Sequence, residues 1–276
     1  MWRFILAITI VCVGFRWLLR EWMRRSRRKR LFASPFPAEW VAILEQDVPL
    51  YWLLPEPLRR ELHGHINVFL GEKTFEGCGG LEMTDEIRVT IAAQACILLL
   101  NRRTKCYPRL RSVLVYPSAY VAKEVERAGS AEVADVQVRL GESWHHGAVV
   151  LSWDSVMRGA SDIKDGHNVV LHEFAHQLDQ EDGAPDGTPI LGQRSRYVTW
   201  GRVLSRDYKD LQEKTRRGRT TVIDDYGASN PAEFFAVVTE TFFEKPQQLK
   251  EKHPELYDEL KDFYKVDPLE WHKQKG

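Results

Sequence analysis

Residues 169–179 read VVLHEFAHQLD, and few segments leave a fold so little freedom. His172 and His176 are four positions apart, so on an α-helix both imidazoles stand on one face, one turn apart. Two imidazoles placed this way can meet a single tetrahedral zinc. Glu173 adjoins the first histidine and can reach the open, water-filled position beside the metal instead of the metal itself. Val169, Val170, Phe174, Ala175 and Leu178 supply the apolar surface that buries the remainder of the helix. A chain that uses this segment for chemistry must cover one side of a helix and leave the other open. The alternative is a packed core helix whose two histidines are satisfied internally.

A catalytic zinc needs a third protein ligand and keeps a fourth position open. No histidine follows at the x-x-G-x-x-H distance, so the metzincin pattern is absent. A carboxylate from a later helix is the other solution, and residues 224–243, DDYGASNPAEFFAVVTETFF, supply one. Asn230 reads as the cap, Pro231 as the first helical residue, and Glu233 falls in the first turn. Glu233 is either the third ligand or a capping-box glutamate that satisfies its own helix start. Glu240, two turns on and on the same face, is the reserve ligand. Tyr226 stands seven residues before Glu233. It can donate to the oxyanion of a tetrahedral intermediate if its loop folds over the metal; otherwise it packs as a surface tyrosine.

The rest of the chain predicts an α+β fold, mainly helical with a small sheet. Helices are expected over 38–46, 57–73, from Thr84 onward, over 167–179 and roughly over 194–216, 231–244 and 246–264. Short strands are expected at 112–117, 136–141 and 148–153, and the last is a candidate to pair with an extended substrate. His63 and His65 are two apart and face different directions on a helix, and WHHG at 144–147 reads as a loop or hairpin turn.

Charge separates the ends of the chain. Residues 1–30 hold nine Lys and Arg against Glu21 alone, while the other residues hold 30 basic and 38 acidic groups. An acidic main body argues against a direct nucleic-acid partner. Residues 4–15, FILAITIVCVGF, carry no charge and precede the polybasic run RWLLREWMRRSRRKR. With flanking arginines snorkelling, about 19 residues could just span a thin bilayer. The charge follows the apolar core and no small-residue cleavage site appears, so the segment reads as an N-terminal hydrophobic anchor helix. The positive-inside rule then places the domain at the cytoplasmic face of the inner membrane. A helix lying in the interface, held by anionic lipid, is the rival. Cys12, Cys78, Cys96 and Cys106 show no pairing or ligand spacing and fit a reducing compartment.

LHEFAHQLD followed by DYGASNPAEFFAVVTETFFEKP resembles the Mlc titration factor A family of zinc peptidases. The tyrosine-to-glutamate spacing also resembles that of the anthrax lethal factor catalytic domain. VLVYPSAYV, GESWHHGAVVLSW and FYKVDPLEWH look like further family segments. The resemblance implies a gluzincin-type metallopeptidase domain over residues 31–276, behind an anchor and polybasic segment over 1–30. It implies one zinc per chain held by His172, His176 and Glu233, with Glu173 as general base and Tyr226 as the transition-state residue. It also implies aminopeptidase-like action on peptide or protein substrates, and a transcriptional repressor of the Mlc type as a partner. The alternative is a regulatory protein that sequesters a partner and carries a structural zinc.

Overall fold

The structure, a computed structural model, describes residues 2–102, 105–119, 141–144 and 147–273. Its helices in chain order are α1 (Trp2–Phe32), α2 (Ala38–Asp47), α3 (Pro49–Leu53), α4 (Glu56–Glu72), α5 (Asp85–Ile97), α6 (Trp153–Ser161) and α7 (Val169–Asp179). They continue as α8 (Arg194–Arg216), α9 (Pro231–Glu244), α10 (Pro246–Lys252), α11 (Pro254–Tyr264) and α12 (Pro268–Lys273). Four short strands, β1 (Thr74–Gly77), β2 (Ser112–Tyr116), β3 (Gly141–Trp144) and β4 (Ala148–Ser152), form one sheet in the order β1-β2-β4-β3. β1, β2 and β4 run parallel, with Val113 opposite Val149, and β3 runs antiparallel to β4. The mainly helical α+β expectation therefore holds.

Two sequence expectations change, and a third lies largely outside the described residues. The stretch 246–264 is two helices, because Pro254 has no N–H to continue a helix and forces His253 out of helical geometry (φ −136°, ψ 62°). β4 lies between β2 and β3 and is hydrogen-bonded on both sides, so it has no free edge for a substrate strand. The expected strand 136–141 falls outside the described residues except for Gly141, which opens β3; His145 and His146 also lie outside them.

Among the described residues no helix is long and apolar enough to cross a membrane, so the spanning anchor has no support in the fold. The charged half of α1 is instead docked on α4. Arg28 makes a paired hydrogen bond to Glu72 (2.5 and 2.7 Å), and Arg27 donates to the Gly71 carbonyl. Leu31 and Phe32 lie over Gly71 and Gly64, where a Cβ would come within 2.8 Å of either side chain. The two glycines on α4 thus let the helices approach closely.

The core sits between the sheet and α5, α7 and α9. α5 is apolar nearly all round and almost wholly buried, and Thr84 caps it by accepting from Ile87 N. Phe174, on the covered side of α7, packs on Phe69 and Tyr107 with ring centres 5.6 and 4.9 Å away. Beneath α9, Trp200, Phe235 and Phe263 form a second aromatic cluster with centres 5.5–5.8 Å apart. Cys78, Cys96 and Cys106 are not in disulfides, and His63 is stacked on Phe36 with Nε2 3.0 Å from the Tyr51 hydroxyl.

Candidate metal centre

The histidine helix begins where Asn168 makes it begin. The Asn168 side chain accepts from Val170 N and Leu171 N, satisfying two of the unpaired amides at the start of α7. The same amide donates to Gln94 Oε1 on α5 (2.9 Å) and to the Gly159 carbonyl on α6 (3.3 Å). One buried residue therefore fixes the start of α7 against two other helices. At the far end of α7, buried Asp179 accepts from Gly187 N at 2.9 Å and holds the following loop. Gly187 sits at φ +77°, and an added Cβ would meet the Pro231 carbonyl at 2.3 Å. Only glycine lets this loop close against the first turn of α9, and that contact brings α9 to α7.

His172 and His176 then face Glu233 across the gap. His172 Nε2 is 3.0 Å from Glu233 Oε2, His176 Nε2 is 3.4 Å from the same oxygen, and the two Nε2 atoms are 3.2 Å apart. These three residues form a group that could hold a metal ion, and it is the one such group among the described residues. The ambiguity over Glu233 resolves by division of labour. Its backbone N–H is capped by Asn230 Oδ1 at 3.0 Å, while its carboxylate turns to the imidazoles. Burial works against its charge, but hydrogen bonds from His172 and His176 outweigh that and hold the carboxyl well below the usual range.

Glu240 is not in the triangle. Its Oε1 lies 2.7 Å from His172 Nδ1, and its Oε2 accepts from Asn168 N. It grips the outer nitrogen of His172, which turns Nε2 toward Glu233 and His176. The sequence offered Glu240 only as a spare ligand. The signal for its actual role was the seven-residue spacing from Glu233, which puts both carboxylates along one imidazole.

Glu173 is 5% exposed, and its Oε2 has no hydrogen-bond partner. Burial pushes its carboxyl up, the neighbouring histidines pull it down, and Glu233 and Glu240 add to the rise. Tyr226, in the turn Asp225–Ala228, has its ring centre 6.0 Å from that of His172. Asp224 caps this turn by accepting from Tyr226 N. The five residues singled out from sequence, together with Glu240, line one cleft of about 970 Å³. His167, Asp165, Asp186 and Asp224 line the same cleft and were not anticipated; His167 Nε2 lies 3.7 Å from Asp224 Oδ2.

A helix-borne histidine pair that meets a carboxylate from a second helix in an open cleft defines a metallopeptidase-type centre, and sequence comparison agrees. The chain belongs to the glucose-regulated metallo-peptidase M90 family, whose sequence profile matches residues 20–265. Among its relatives is an uncharacterised protein of Synechocystis sp., 42% identical over 96% of this chain and 97% of that one. Mlc titration factor A of Yersinia pestis and of Yersinia pseudotuberculosis is 31% identical over 90% of this chain and 91% of the relative.

Proposed function

We propose that the chain is a zinc-dependent peptidase of the gluzincin type, with His172, His176 and Glu233 as the ligands. The observation that carries this reading is the 3.0, 3.2 and 3.4 Å triangle of ligand atoms. Two bonds of about 2.0–2.1 Å opened to a tetrahedral angle separate their ligand atoms by about 3.3 Å, so the donor set and its spacing fit zinc. Three protein ligands facing an open cleft leave a fourth position for water, as a catalytic site requires and a structural site does not. Zinc bound there would lower the pKa of water and polarise a scissile carbonyl.

The chain's own groups do the rest. Glu240 keeps Nδ1 of His172 occupied, so Nε2 remains the ligand atom. Glu173 takes the proton of the attacking water and delivers it to the leaving amine. Its unpartnered Oε2 is free for this exchange. Tyr226 donates its hydroxyl to the oxygen on which charge develops. Asp165, Asp186 and Asp224 give the cleft wall acidic character suited to the free ammonium group of a peptide N-terminus, which supports an aminopeptidase-like preference.

The test is metal analysis of the purified chain together with hydrolysis of a panel of short peptides by wild type and Glu173→Gln. Both proteins should hold one zinc and only the wild type should turn over. Absence of bound metal, or equal hydrolysis by the variant, would overturn the reading. A second reading, sequestration of a repressor, is suggested by the name of the Yersinia relatives. The open coordination position and the poised Glu173 favour catalysis, and the two roles are compatible in one molecule.

A further inference from the structure

The projecting part of α1 carries two stripes. Phe15, Leu18, Leu19, Trp22 and Met23 follow the spacing i, i+3, i+4, i+7 and i+8 and all are exposed, Trp22 at 66% and Leu18 at 60%. Arg16, Arg20 and Arg24 repeat every fourth residue on another face and are exposed as well. The end of the helix is held by Arg27, Arg28, Leu31 and Phe32 on α4, so the stripes are presented from a fixed base.

Such a surface requires an occupant that accepts apolar bulk and dense positive charge together. A nucleic acid would satisfy the arginines and leave the apolar stripe in water. A second copy of the helix would set one strongly basic segment against another. A protein groove covers one face of a helix, whereas residues 4–15 of the sequence are uncharged on every side. Those twelve residues as a helix reach about 18 Å, short of a hydrocarbon core of about 30 Å. We propose that α1 docks the protein on an anionic bilayer surface, lying as one continuous helix in the headgroup layer. The apolar stripe sinks below the phosphates, and Arg16, Arg20 and Arg24 reach them by snorkelling.

Full-length protein is sedimented with vesicles of phosphatidylcholine alone or mixed with phosphatidylglycerol, at low and high salt. Binding should be on the order of tenfold or more stronger on the mixed vesicles and should weaken with salt. Arg16→Gln, Arg20→Gln and Arg24→Gln combined should abolish that preference. Leu18→Ser with Trp22→Ser should weaken binding to both vesicle types. Zinc content and peptide hydrolysis should be unchanged in both variants, which separates a failure here from a failure of the peptidase reading. Binding that ignores phosphatidylglycerol and salt and survives alkaline carbonate would overturn surface docking in favour of a spanning helix. No binding to either vesicle would overturn it as well, in favour of a protein occupant.

Discussion

The two sides of α7 touch the same imidazole with different carboxylates. On the cleft side, Glu233 meets His172 Nε2 with its own side chain partly open to water. On the covered side, Glu240 meets Nδ1 of the same ring from a position 5% exposed. Both come from α9, seven residues apart, and sequence alone made them competitors for one role. Burial separates them. The half-open carboxylate has a vacant direction in which a cation and a water can sit. The other is nearly buried in the cleft wall, with its two oxygens already taken by Asn168 N and His172 Nδ1, a position suited to orienting the ring.

The sharpest way to break this contrast is to remove reactivity from the cleft side without disturbing the other. Glu173→Gln keeps shape and volume and removes the proton acceptor. Turnover should fall by about 10²–10⁴-fold with zinc content unchanged. A steady-state assay paired with metal analysis checks both, and a variant that lost its metal would show instead that Glu173 helps to hold the site. Tyr226→Phe comes next, with an expected loss of about 10²–10³-fold in turnover and little change in metal. A rate within a factor of two of wild type would return Tyr226 to a packing role at the cleft rim.

Glu240→Gln tests the covered side. Zinc affinity should fall by about 10–100-fold, measured by competition with a chelator, and activity should return when zinc is supplied in excess. Loss of activity that zinc cannot restore would place Glu240 among the reacting groups and erase the distinction between the two sides.

What could be read from the sequence follows the same division. The cluster of His172, His176 and Glu233, and Glu173 beside it, could be picked out because such chemistry fixes residue type and spacing within one helix or one helix start. Glu233 was ambiguous, since Asn230, Pro231 and Glu233 also spell a cap. The structure shows that the backbone and the side chain of Glu233 answer to different partners. Asn168 passed unnoticed: an asparagine before a helix is ordinary, and its importance lies in Gln94 and Gly159, 74 and 9 residues away. The helices were legible from apolar spacing. β1, α3, α6 and α12 were missed because each is short and depends on tertiary contacts more than on pattern. The docking of α1 depends on two glycines of α4 whose significance appears only when the helices meet.

The smallest expected effect is also the one that reaches deepest. Glu244 ends α9 one turn beyond Glu240, is 3% exposed, and neither of its oxygens completes a hydrogen bond, although Asn168 and the Gly166 N–H lean toward it. Burial, reinforced by Glu240, pushes its carboxyl up to about 9. The folded chain therefore keeps a proton on Glu244 over a range in which the unfolded chain has released it. Where the folded state binds more protons, stability falls as pH rises. This contribution should be fully present below about pH 4.5, decline through neutrality and level off above about pH 9. Glu244→Gln offers the same shape with no charge to suppress. It should raise stability near pH 8 by about 1–3 kcal/mol, less than at a fully dry site because the neighbouring amides already give partial relief. Denaturant melts from pH 5 to 9 decide the matter: the wild type should lose stability across that window more steeply than the variant. Parallel curves would mean that Glu244 is ionised in the folded protein and that the covered side tolerates charge as readily as the cleft.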